Sequence, residues 1–261
     1  MARSIYLPLS GALMQEKRLD VLTNNLANVN TSGFKEDRPV FQAILTGAEE
    51  SSSNVPSVRS VSHNPLSLSM YELNRTLVAF SGTKTDFSPG AIKKTGNPLD
   101  VAIVGDGFFS VETPQGVMYS RNGSLTISSN GDLVTQDGLP VLGQNGKISL
   151  EGDDISIGTD GTVLVDGNEV GKLKIVNFPR PYPLKKVGGS LFSLTTSGEN
   201  GKVNTDVNVK QGFLELSNVN VVKEMVMMVE VNRAYQAYQK VIQGVFDTIT
   251  RKAVNEVGRL T

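Results

Sequence analysis

The sequence predicts an α+β chain in which long N- and C-terminal helices form a coiled-coil-like assembly domain and a central all-β domain of short strands lies between them. Three observations carry this expectation. Near the C-terminus, Met228, Val231, Tyr235, Tyr238, Ile242, Val245 and Ile249 recur at alternating steps of three and four, which keeps one apolar stripe on one helical face. Near the N-terminus, Ile5, Leu9, Ala12, Leu19, Leu22, Leu26 and Val29 mark a second, shorter stripe. Between them the chain is punctuated by Asn-Gly and Asp-Gly pairs that accept the positive φ angles of tight turns. Two helices packed on their own domain would give similar stripes. The lengths favour assembly, because residues 5–29 and 219–257 would span roughly 38 and 58 Å at about 1.5 Å per residue. The longer helix outruns its intramolecular partner.

Taken in order, the first helix should start around Ser4 to Leu7, since Pro8 is tolerated only in a first turn. It should end in the polar run Asn28-Val29-Asn30-Thr31-Ser32-Gly33, where Gly33 or an Asn can take the left-handed conformation that terminates helices. Residues 35–85 change character: Glu49-Glu50-Ser51-Ser52-Ser53-Asn54 and the surroundings of Pro56 and Pro65 lack periodicity and read as a linker with at most short strands. From about Asp86 to Val209, turn pairs at Asn122-Gly123, Asn130-Gly131, Asp137-Gly138, Asn145-Gly146, Asp160-Gly161 and Asp166-Gly167 separate short β-prone runs. These runs are 99–104, 108–112, 116–120, 133–135, 155–157, 163–165 and 173–178. The terminal helix then begins after an N-cap at Ser217 or Asn218. The expected division is therefore residues 1–34 and 213–261 as a helical assembly domain, 35–85 as linker and 86–212 as β domain.

Composition narrows the function. Lys plus Arg number 25 against 26 for Asp plus Glu, so no basic field points to nucleic acid or an anionic membrane. Cysteine is absent, which removes disulfides, thiolate nucleophiles and sulfur-ligated metals. No stretch approaches the about eighteen apolar residues of a membrane span, and the first residues lack the apolar core of a cleaved secretory leader. Gly105-Asp106-Gly107-Phe108-Phe109-Ser110 echoes the dinucleotide glycine fingerprint, but a strand follows where a helix N-terminus is needed. Gly105 and Gly107 read instead as hairpin turn residues. His63 is the single histidine, and no Gly-x-Ser-x-Gly elbow supports a nucleophilic triad around it. Asp153-Asp154 reads as a charged turn, because adjacent acids in a strand point to opposite faces. Tyr235 and Tyr238 beside Arg233 read as packing residues. The expectation is no catalytic, cofactor-binding or metal-binding residue, with a soluble β-domain binding module as the alternative of a different class.

The run from Asn24 through Asn25, Leu26, Ala27, Asn28, Val29, Asn30, Thr31, Ser32, Gly33 and Phe34 to Lys35 resembles the N-terminal signature of the bacterial flagellar rod and hook family. Ser217-Asn218-Val219-Asn220-Val221-Val222, with Glu224-Met225-Val226 and Asn232-Arg233-Ala234-Tyr235, resembles its C-terminal signature. The middle, Leu99-Asp100-Val101-Ala102-Ile103, Gly107-Phe108-Phe109 and Tyr119-Ser120-Arg121-Asn122-Gly123, looks like the β domain of the axial rod proteins. Within the family, residues 136–157 look closer to the proximal-rod type, with the distal-rod or a hook-type axial subunit as the alternative. The resemblance implies a non-enzymatic structural subunit of the flagellar drive shaft that crosses the periplasm and transmits torque. It implies self-assembly, contacts with other axial proteins and passage through the flagellar export apparatus, without nucleic acid or membrane insertion. The stripe residues are then the expected assembly interface.

Overall fold

The computed structural model describes residues 6–46, 75–152, 154–195, 201–203 and 208–257. Ile5, His63, Asp153 and the acidic and serine-rich run at 49–54 lie outside the described residues. The architecture is α+β: a first helix α1, Tyr6–Ala27, many short strands, and a terminal helix α2, Val221–Val257. With 22 and 37 residues, the helices are roughly 33 and 56 Å long.

The chain divides into two compact units. The first holds α1 up to Thr23, the described residues among 38–84 and α2 from Met225 onward. Its helices meet closely where Gly11 faces the Tyr238 ring, since a Cβ at Gly11 would come 2.5 Å from Tyr238 Cε1. The expected linker departs from the expectation of at most short strands: Asp37–Thr46 and Arg75–Thr85 form a two-stranded sheet. Phe41 and Phe80 meet edge to face at 5.9 Å across this ribbon, and the Arg18 guanidinium lies 4.9 Å over the Phe41 ring. Aromatic and cation–π contacts of this kind stabilise a two-stranded ribbon.

The second unit, residues 24–37 and 85–224, is β-rich. Its largest sheet has six strands in the spatial order 184–188, 191–194, 116–120, 108–113, 175–177 and 202–203. Strand Phe108–Thr113 is buried on both faces. Phe109 and Val111 enter a core with Val101, Leu125, Leu133, Val163 and Ile175, while Phe108 enters a second cluster with Val176, Phe178 and Phe192. The period of two in side-chain direction makes one strand serve both cores. Burying each such large apolar side chain contributes about 1.5–3 kcal/mol.

Of the expected turn glycines, Gly131, Gly138, Gly146, Gly161 and Gly167 have positive φ and Gly123 does not. Asp166 and Gly167, at φ 51° and 79°, close strands 162–165 and 168–172 with both central residues left-handed, as a two-residue hairpin demands. The Gly105–Gly107 segment differs from the expected hairpin. Both glycines have positive φ, yet they join strand Val101–Val104, paired with Asn208–Gln211, to strand Phe108–Thr113 in another sheet. The cap of α2 also moves. Asn220 Oδ1 accepts the Lys223 N–H at 3.1 Å, so Asn220 caps the helix. Asn218 is engaged elsewhere and Ser217 Oγ accepts from Val219 N.

Candidate functional site

Segments 24–37 and 213–224, which include the signature residues, converge on one buried carboxylate within the β-rich unit. Glu215, 2 % exposed, accepts from Lys35 Nζ at 2.6 Å and from Arg121 Nε at 2.7 Å. It accepts a further bond from the Gly90 N–H at 2.9 Å. Lys35 is itself 1 % exposed and donates to the Ser88 carbonyl at 2.8 Å. Arg121 also donates from Nη1 to the Gly107 carbonyl and from Nη2 to the carbonyls of Ile103 and Gly105. Two cations and one anion are thereby buried with each charge bonded, the condition under which burial of ions is tolerated.

The backbone of the two segments is tied at the same place. The Gly33 N–H donates to the Glu215 carbonyl at 2.8 Å. Gly33 adopts φ 68°, and a Cβ there would overlap the peptide between Arg121 and Asn122. Phe34 is buried under Lys186, whose Nζ lies 3.6 Å from the ring centroid and donates to the Lys35 carbonyl and Asp37 Oδ2. Asn25, 1 % exposed, exchanges bonds with Asp37 through Nδ2 to its carbonyl and Oδ1 from its N–H, and also donates to Glu224 Oε2. Asn218 accepts from the Glu36 N–H at 2.7 Å and donates to the carbonyls of Asp86 and Ser88. Of the other signature residues, Val219 is buried, Leu26 and Ser217 are half-buried, Ala27 is exposed, and Asn28 holds the end of α1 through the Asn24 carbonyl. Lys35, Arg121 and Glu215 carry the joint but belong to no local pattern. The resemblance flagged Lys35 and Arg121 within longer runs, and nothing flagged Glu215.

The helical stripes have a mixed fate. On α2, Val231 is buried and Met228, Tyr235, Tyr238, Ile242, Val245 and Ile249 are half-buried, while most of the residues between them are exposed. On α1, Ala12 and Leu22 are buried, Leu19 and Leu26 half-buried, and Leu9 is 43 % exposed beside exposed Leu7 and Leu13. Sequence reading missed a second apolar patch on α2: Val222, Met225, Val226 and Val229 are all exposed, and their spacing puts them on the side opposite the stripe. The signal was readable, because steps of three and four recur there too.

Chemistry is sparse. Gly105, Asp106 and Gly107 line a cavity of about 120 Å³ with Phe108, Arg121 and Tyr182, well below the roughly 300–1,000 Å³ of a cofactor pocket. Arg180 at its rim is bonded to Asp106 and Tyr182. Among the described residues, no group of three acids or histidines is placed to hold a metal, and no helix is long and apolar enough to cross a membrane.

Burial pushes the Glu215 carboxyl up, but Arg121 and then Lys35 outweigh it and hold the group below its usual value. Burial pushes the Lys35 ammonium down, only partly offset by Glu215. A carboxyl depressed on folding contributes stability that is present above its unfolded value of 4.5 and is lost as pH falls through the lower folded value. Thermal melts should therefore fall on acidification below that point. Glu215→Gln is expected to melt lower at neutral pH and to lose part of the acid slope. An unchanged slope in this variant would show that the carboxylate is not held ionised in the folded state.

Comparison with known proteins gives concordant matches. Residues 5–35 match the flagella basal body rod protein family, 102–165 the flagellar hook protein FlgE/F/G D1 domain, and 210–253 the flagellar basal body rod FlgEFG protein C-terminal family. The flagellar basal-body rod protein FlgG of Bacillus subtilis (strain 168) is 35 % identical, covering 98 % of this chain and 99 % of its own. The flagellar basal-body rod protein FlgF of Caulobacter vibrioides is 31 % identical over all of both chains. FlgG of Agrobacterium fabrum is 34 % identical, covering 92 % of this chain and 94 % of its own.

Proposed function

The chain belongs to the bacterial flagellar basal-body rod protein family, a structural subunit of the rod, and we propose that it builds that shaft by packing its terminal helices against those of neighbouring axial subunits. The observation that carries the reading is α2: a 37-residue helix with an apolar stripe on one face and exposed Val222, Met225, Val226 and Val229 on the other. Exposed apolar area of this kind favours association. In the assembled rod the stripes 5–26 and 228–249 form coiled-coil-like contacts, with copies of the same chain and with other axial proteins, so that residues 1–34 and 213–261 act as the assembly domain and 86–212 thicken the shaft. Torque passes along many repeated contacts. No catalytic group is assigned, and delivery is through the flagellar export apparatus. Relatives of both the FlgF and FlgG kinds align along nearly the whole chain, so the preference for the proximal type drawn from residues 136–157 gains no weight over the distal type.

The test is genetic. Cells lacking the chain should make no complete rod and should not swim. The full chain should restore both, and a chain ending at residue 220 should restore neither. Swimming with the shortened chain would remove α2 from the assembly reading, and turnover of a small molecule by the purified protein would count against a purely structural role.

A further inference from the structure

We infer that the Lys35–Glu215–Arg121 triad is a positioning clamp, which fixes the two segments from which the terminal helices depart onto the β-rich body and carries bending load from them into it. The inference rests on the rod reading above and names the residues through which load would pass. Three features support it. The three side chains come from positions 35, 121 and 215, so the cluster forms only when the N-terminal segment, the strand that ends at Ser120 and the C-terminal segment are all in place. The main chain is bonded at the same points: Gly33 N–H to the Glu215 carbonyl at 2.8 Å, Leu216 N–H to the Ala91 carbonyl at 2.8 Å and Lys186 Nζ to the Lys35 carbonyl at 2.8 Å. Finally, the fork of Arg121 grips the Gly105–Gly107 turn, which leads into strand Phe108–Thr113 at the middle of the six-stranded sheet. A planar guanidinium with several fixed acceptors resists rotation in a way that a flexible ammonium does not. The clamp thus connects both segments to the turn that leads into the middle of the six-stranded sheet.

The experiment is hydrogen exchange followed by mass spectrometry on the full purified chain, comparing wild type, Glu215→Gln and Arg121→Lys. Glu215→Gln keeps the shape but cannot satisfy two cations. Amides in segments 28–37 and 213–220 should exchange at least about tenfold faster, and by a clearly larger factor than those of strands Phe108–Thr113 and Gly116–Ser120, because local opening adds to whatever global unfolding contributes. Arg121→Lys should show the same pattern at smaller amplitude, and it carries the test alone if Glu215→Gln does not fold. Unchanged exchange in the two segments would overturn the inference, and so would equal acceleration through the core strands, which would make the triad an ordinary part of the fold. Absence of the wild-type chain from isolated basal bodies would sink the rod reading instead. If the chain is recovered there and the exchange pattern fails, the clamp alone falls.

Discussion

Replacing Gly33 with alanine is expected to lower the stability of the purified chain by about 3 kcal/mol or more, because two costs fall on one atom. A left-handed φ of 68° costs an L-residue roughly 1–2 kcal/mol. The added Cβ would also overlap the peptide between Arg121 and Asn122. That obstacle is backbone, and Arg121 is anchored by Glu215 and three carbonyls, so it cannot swing aside as a side-chain tip would. Forcing the two segments apart would stretch the Gly33–Glu215 backbone bond and loosen the ion triad. For a domain of this size the melting temperature should drop by roughly 6–12 °C. Gly138→Ala is the matched comparison: its φ is 78°, but nothing lies within 4 Å of the added carbon. It should show only the conformational part. Equal melting of the two variants would mean that the loop at Gly33 relaxes freely.

What the sequence revealed and what it hid follow from the range of the interactions. Both helices were legible within two or three residues, since a repeat of three and four is local information, and strand 116–120 was legible to the residue for the same reason. The ribbon formed by Asp37–Thr46 and Arg75–Thr85 was obscured because Pro39 and a serine-rich intervening run suppress the strand signal, while the pairing that makes it joins arms separated by more than twenty residues. The Gly105–Gly107 turn was legible as a turn but not as a bridge between sheets, because positive φ says nothing about which strands pair. Least legible was the ion triad. No local pattern singles out Lys35, Arg121 or Glu215, and only a contact spanning 180 residues in sequence turns Lys35 and Glu215 into a buried pair. The N-cap was misplaced for a related reason: Asn218 is the better-looking cap locally, but its amide bridges Glu36 to Asp86 and Ser88.

Ile242→Asp is expected to abolish rod growth and swimming while leaving the β-rich unit folded. Ile242 lies in the half-buried stripe of α2 with Tyr238 and Val245 as its neighbours on that face, and the folded β-rich unit contains no residue beyond Glu224. In the isolated chain the new carboxylate can turn toward water, so the cost is small. In a helix packed on both sides it cannot, and desolvating an unpaired carboxylate costs several kcal/mol per copy. Growth by repeated addition exposes every subunit to that penalty, so a loss tolerable in one contact becomes prohibitive for the shaft. The comparison variant is Gln243→Asp, one position along and exposed, which adds the same charge outside the stripe. It should assemble and swim normally. The measurement is the yield of complete rods in isolated basal bodies together with swimming in soft agar, with near-neutral melting of the purified chains as the control for folding. Normal rods with Ile242→Asp would place the stripe outside the assembled contact and leave the patch of Val222, Met225, Val226 and Val229 as the face on which α2 assembles.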